Sequence, residues 1–120
     1  MSDKLYYYRA KVVSVYDGDT ITVLADMGMS LFARIKVRLL GINTPEIRTK
    51  DADEKRRGLE ARDYLREQIL NQEVILHTVK RGKFGRWLGE VWKMDDQGAI
   101  LSESVNQTLI NNGYAVEYKG

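Results

Sequence analysis

The sequence predicts an α+β fold, mainly β, in which five short strands form a barrel and two or more helices pack against it. Three observations point there. Apolar residues alternate with polar ones in several short runs, which is the period of a half-buried strand. Glycine- or aspartate-bearing turn signals separate those runs at short intervals. Two further segments repeat their apolar residues at helical spacing instead.

The elements follow in order. Residues 7–16 are rich in Tyr and Val, and Thr20 to Leu24 alternates again after Asp17-Gly18, so two strands joined by a tight turn are expected. A third strand covers about 31–40, after the turn Asp26-Met27-Gly28-Met29-Ser30. Strands from Val74 to Lys80 and from Arg86 to Lys93 flank the turn Gly82-Lys83-Phe84-Gly85. One helix is predicted from Gly58 to Asn71, with Ala61, Tyr64, Leu65 and Ile69 on one stripe. Another runs from Ser102 to Asn112, with Ser102 as N-cap and Gly113 as the stop. Residues 48–57 mix five cations with three acids and carry no large apolar side chain, so they read as a mobile connector. Five strands with a helix against the barrel describe an OB-fold, which commonly carries nucleic acid on one barrel face.

The 120 residues suit one domain, 1–120, with no repeat or linker to divide it. An apolar content of 43% beside 30% charged residues places the chain among globular proteins. No stretch approaches the length of a membrane span, and Met1 to Tyr6 holds no apolar leader core. The expectation is a cytoplasmic monomer without membrane contact. The absence of cysteine and the single His77 exclude thiolate and multi-histidine metal sites, which leaves oxygen-seeking cations. His77 reads as a structural or surface histidine, Tyr6, Tyr7 and Tyr8 as a strand edge over the core, and Trp87 and Trp92 as packing beside the barrel or helix.

A net charge of +2 argues little, but its distribution argues more. Arg34, Lys36 and Arg38 alternate with Ile35, Val37 and Leu39, so a strand there presents cations on one face and apolar residues on the other. Lys80, Arg81, Lys83 and Arg86 cluster without an acid. Because the first stripe ends in Arg38, just before the acidic turn that follows, a phosphate track is the better reading than a merely solvated face.

Three stretches carry the chemistry: Asp17-Gly18-Asp19-Thr20, then Arg38 leading into Asn43-Thr44-Pro45-Glu46, then Lys83-Phe84-Gly85-Arg86. They supply oxygen ligands for a hard cation, a carboxylate base and two guanidinium groups. Hydrolysis of a phosphodiester needs its charge neutralised, a water activated and the five-coordinate state stabilised. Arginine forks and a metal meet the first and last needs, and a carboxylate the second.

In these motifs and their order, over roughly residues 8–118, the chain resembles the staphylococcal nuclease-like (thermonuclease) family. The resemblance implies a metal-dependent nuclease that hydrolyses DNA, or RNA, with little sequence specificity. Arg38, Glu46 and Arg86 would be catalytic, with Glu46 as the base and the arginines on the transition state. Lys83 and Phe84 would meet the nucleotide, joined by Arg34 and Lys36 from the cation stripe. Asp19, Asn43, Glu46 and the Thr44 carbonyl would hold Ca2+, with Mg2+ or Mn2+ as alternatives. The chain departs from the family pattern at Asn43, where a second ligating aspartate is expected, and at Phe84, where a tyrosine is expected. It also stops at Gly120, short of a C-terminal helix and of two nucleotide-facing tyrosines, for which Tyr118 is an approximate substitute. The competing reading is an inactive OB-fold module that binds single-stranded nucleic acid or a protein partner.

Overall fold

The computed structural model describes residues 6–82 and 85–119. Five strands close into a barrel in the order β1-β2-β3-β6-β5: β1 is Tyr7–Asp17, β2 Thr20–Asp26, β3 Phe32–Leu39, β5 Glu73–Arg81 and β6 Trp87–Trp92. A second, two-stranded sheet pairs β4, Ile42–Asn43, with β7, Val116–Glu117. The helices are α1, Ala52–Ile69, and α2, Val105–Asn111. The predicted α+β barrel with two helices is the observed architecture.

Period-two alternation decides which side of each strand faces inward. Val12 and Val15 of β1, Ile21, Val23 and Ala25 of β2, Val37 and Leu39 of β3, Val74 and Leu76 of β5 and Val91 of β6 are buried together. Leu65 and Ile69 of α1 and Val105 and Leu109 of α2 join that core. Strand β1 belongs to two pairings, antiparallel to β2 and to β5, and register shifts between Val12 and Ser14 and between Val15 and Asp17 interrupt the first of them. Such bulges bend a strand and increase its twist, as closure of a five-stranded barrel requires. Arg66 of α1 donates to the Val15 carbonyl beside the second shift, at 3.2 Å.

Closure depends on a short parallel contact in which β3 meets β6 over Val37↔Trp87, Arg38↔Leu88 and Leu39↔Gly89. Asn106 of α2, only 3% exposed, reinforces it from below. Its Oδ1 accepts the Val91 N–H at 3.1 Å, and its Nδ2 donates to the carbonyls of Leu40 at 2.9 Å and Gly89 at 3.2 Å.

Three expectations are corrected. Helix α1 begins at Ala52, so most of the stretch read as a mobile connector is helical. Asp51 caps it through the N–H groups of Asp53 and Glu54, and acids in the first turn suit the helix dipole. Arg56 and Arg57 add ion pairs to Asp53 and Glu60 at helical spacing. These first turns bury little, so they carry no apolar stripe to read. Helix α2 is capped by Ser104, whose Oγ accepts the Gln107 N–H, and not by Ser102. Strand β6 starts at Trp87, which leaves Arg86 just ahead of it. Among the described residues no helix is long and apolar enough to cross a membrane.

Removal of the Asn106 side chain leaves the buried Val91 N–H and the Leu40 carbonyl without their partner. At about 1–3 kcal/mol per orphaned group, Asn106→Ala is expected to lower stability by about 3 kcal/mol. Urea titration followed by tryptophan fluorescence measures it, and a loss under about 1 kcal/mol would show that the clasp is dispensable.

Candidate active site

The β1–β2 turn, the end of β3 and the segment after β4 converge on one carboxylate. Asp19 is 7% exposed, and its Oδ2 accepts both the backbone N–H and the hydroxyl of Thr44, each at 3.1 Å. Its Oδ1 accepts the Thr20 hydroxyl at 3.3 Å. Arg38 approaches the same Oδ2 at 3.4 Å, donates through Nη1 to the Leu39 carbonyl at 3.0 Å, and donates through Nη2 to Asn43 Oδ1 at 3.3 Å. Arg38 therefore ties Asp19 to Asn43.

Small side chains permit this convergence. A Cβ on Gly18 would stand 2.8 Å from Thr44 Cγ2 and 2.9 Å from the Ala61 Cβ, so the turn, the loop and α1 touch only because Gly18 is bare. Gly58, inside α1, would place a Cβ 2.7 Å from the Pro45 carbonyl oxygen and 2.9 Å from that of Glu46. A helix-interior glycine ordinarily costs about 1 kcal/mol relative to alanine. Here it allows the backbone of the Pro45-Glu46 turn to lie directly on the helix. Glu46 itself is exposed, and its backbone N–H donates to Glu54 Oε2 at 3.1 Å.

The second half of the site is a cleft of about 960 Å³ beside Arg38. Arg38, Lys80, Arg81, Arg86 and Lys119 line it with Tyr118, and among the described residues no acidic side chain does. Arg86 thus shares a cleft with Arg38, while Asp19 and Glu46 stand outside its lining. Lys83 and Phe84 lie outside the described residues. Arg34 and Lys36 are exposed on the face of β3 that also carries Arg38. Tyr118 and Lys119 arrive through the β4–β7 pairing, fixed by a 2.9 Å bond from the Tyr118 N–H to the Gly41 carbonyl. Sequence reasoning missed Lys119 in this role because two-residue strands leave no periodic signal. Lys80 and Arg81 were visible in the cation cluster, but nothing in the sequence aimed them at Arg38.

Asp17 is the other residue the sequence underrated. Burial first, and then the neighbouring Asp19 carboxylate, push its carboxyl up to about 6. Asp17 and Asp19 crowd at one turn, and carboxylate oxygens of this kind suit a hard cation, although Asp19 already holds the Thr44 donors and Arg38. Among the described residues no group of three His, Cys, Asp or Glu side chains is close enough to hold a metal, so amide, carbonyl and water oxygens would complete the shell.

Residues 36–120 match the family model described as staphylococcal nuclease homologue. The chain is 33% identical to a thermonuclease of Staphylococcus hyicus over 107 residues, covering 88% of this chain and 56% of that protein. It is 30% identical to a micrococcal nuclease of Shigella flexneri, covering 93% of this chain and 59% of that one. It is 29% identical to an uncharacterized protein of Methanocaldococcus jannaschii, covering 93% and 60%. The chain thus spans between 56% and 60% of the length of these relatives.

The raised Asp17 carboxyl has a signed consequence for stability. The native state holds its proton up to about pH 6, whereas an ordinary carboxyl releases it near 3.8. The folded state therefore binds more protons across that window, and Asp17 costs stability as pH rises through it. In chelator, Asp17→Asn is expected to melt higher than the parent at about pH 8, with the difference closing below about pH 4. Thermal unfolding by circular dichroism checks this, and a difference independent of pH would mean that the gain does not come from this carboxyl.

Proposed function

The chain belongs to the family of staphylococcal nuclease homologues, and on that premise we propose that it is a metal-dependent phosphodiesterase acting on DNA, with RNA as a second substrate. The observation that carries the proposal is the position of Arg38. One side of its guanidinium meets the oxygen donors of Asp19 and Asn43, and the same residue lines a cleft that otherwise presents Lys80, Arg81, Arg86 and Lys119. A phosphodiester in that cleft is neutralised by arginine forks while its phosphorus faces the acidic turn.

In this reading Glu46 takes a proton from water as the water oxygen forms a bond to phosphorus. The bond from phosphorus to the 5′ oxygen breaks, leaving a 3′-phosphate, and Arg86 assists the departing oxygen. Arg38 stabilises the extra charge of the five-coordinate state. Asp19, Asn43, Glu46 and the Thr44 carbonyl would hold Ca2+, or Mg2+ or Mn2+ in its place, and the cation when bound lowers the charge cost of that state. The Pro45 ring and the contact with Gly58 restrain the turn that carries Glu46, as a general base requires.

Incubation with single- and double-stranded DNA in each divalent metal and in chelator tests the proposal. Cleavage abolished by chelator is expected, and binding without cleavage in any metal would return the chain to a non-catalytic OB-fold module. Glu46→Gln is expected to keep the fold and lower turnover by about 10²- to 10⁴-fold. Arg38→Ala and Arg86→Ala should each cost about 10²- to 10³-fold, with poor rescue by lysine, which lacks the fork. Near-parental rates in all of these variants would move the site elsewhere.

Asn43→Asp adds a charge where the oxygen set has an amide, and site affinity follows ligand charge. Tighter Ca2+ binding is expected by calorimetric titration in the presence of a nucleotide. Equal affinities would remove Asn43 from the ligand set.

A further inference from the structure

The turn joining β2 to β3 carries exposed apolar side chains for which the barrel has no use. Met29 is 92% exposed, Phe32 63% and Leu31 60%. The turn that presents them is well built: the Asp26 carboxylate accepts the Gly28 N–H at 2.9 Å, and backbone bonds join Met27 to Leu31 and Leu31 to Gly28. Met29 and Ser30 hold positive φ angles of 54° and 63°, a region that disfavours side chains other than Asn, Asp or Gly. Pairing of β1 with β2 ends at Ala10↔Ala25, while β2 and β3 stay paired to Asp26↔Phe32. The tip is therefore a two-stranded ribbon beyond the last β1–β2 pair.

Phe32 occupies a defined place on it. The pairs Thr20↔Arg38, Thr22↔Lys36, Leu24↔Arg34 and Asp26↔Phe32 alternate with pairs whose side chains enter the core, so Phe32, Arg34, Lys36 and Arg38 share the outward face. Lys11, exposed and opposite Leu24, adds a cation to the same face. Side chains on one face recur about every 6.8 Å, which sets Phe32 about 20 Å from Arg38 with two cations between them. Several described rings have partners: Tyr7 lies on His77 at 4.2 Å, Tyr64 on Tyr114 at 4.3 Å, and Arg81 covers Trp87 at 5.4 Å, whereas exposed Tyr6, Tyr16 and Tyr118 have no such contact among the described residues. Among the described residues no ring or cation contact of this kind holds Phe32.

We propose that the β2–β3 hairpin is a single-strand-binding arm, in which Phe32 stacks on a base of the strand whose phosphates follow Arg34 and Lys36 away from Arg38. The proposal rests on the function given above, since Arg38 fixes the near end of the track. The cations state the charge of the occupant and the exposed ring states its other component: an anionic chain with flat apolar groups at regular intervals. A duplex hides those faces within its stack, so a single strand is the matching form. Asp26, opposite Phe32, has its carboxylate engaged with the turn, and Glu73, the acid opposite Lys11, is paired with Arg9 at 3.6 Å.

Fluorescence anisotropy in chelator, with labelled single-stranded DNA of twelve nucleotides and of two, and with the twelve-nucleotide duplex, tests the arm without cleavage. Phe32→Ala should weaken the long single strand about tenfold. It should weaken the dinucleotide, too short to reach from Arg38 to Phe32, and the duplex much less, and Phe32→Trp should restore affinity. Replacement of Arg34 and Lys36 by alanine should flatten the salt slope by about one to two units, which Phe32→Ala should not do. Phe32-dependent binding of the long strand supports the arm even if the parent cleaves nothing, an outcome that would defeat the nuclease reading alone. Unchanged affinity in Phe32→Ala, failure of tryptophan to restore it, or equal losses on duplex and single strand would overturn the arm. So would a change confined to self-association or to binding of anionic lipid vesicles. Phe32 is exposed, and matching thermal melts of parent and variant exclude misfolding as the cause.

Discussion

The Asp19 carboxylate is the point on which the site depends. It gathers a turn, a strand end and a loop that are distant in sequence, through the two Thr44 donors, the Thr20 hydroxyl and the Arg38 guanidinium. Hydrogen bonds to a charged group contribute about 1.5–3 kcal/mol each when poorly solvated, and Asp19 and Thr44 are both nearly buried. Attraction alone would not hold the segments at this distance. Gly18 and Gly58 give up side chains where the turn, the loop and α1 meet, so close approach of backbone and charged hydrogen bonding act on the same junction.

The barrel supplies the opposite wall. Its seam between β3 and β6 is short and parallel, and it sets Arg38 level with Leu88, two residues beyond Arg86. A cleft that collects five cations at this seam stores like-charge repulsion that the fold must hold in place. Asn106 beneath the seam and the β4–β7 pairing beside it perform that task with hydrogen bonds to backbone.

Legibility in the sequence followed periodicity. Strands β1, β2, β3, β5 and β6 and the buried stripe of α1 were readable because one face of each meets the core and repeats. The first turns of α1 were not readable, since charge pairs and a cap stabilise them instead of an apolar face. Strands β4 and β7 are too short for any period, and with them went the arrival of Lys119. Within the site, the Asp-Gly-Asp turn was legible from its composition. The crowding of Asp17 against Asp19 was not, because it depends on how deeply the turn sinks against Thr44 and Ala61. The exposed Met27-Gly28-Met29 turn was visible, but its relation to Arg38 needed the strand register.

Asn43 gains a physical meaning from this arrangement. Arg38 makes one ion pair, to Asp19, and two neutral hydrogen bonds, to the Leu39 carbonyl and the Asn43 amide. A carboxylate at position 43 would place a second anion on the same guanidinium and draw its charge further from the cleft. With the amide, only one of the three contacts is to an anion, so more of the positive potential of Arg38 extends toward Arg86 and the other cations. An amide at position 43 thus favours the basic cleft over the acidic turn. Balance between the two halves is set at a single guanidinium, whose neighbours are fixed by the Asp19 junction.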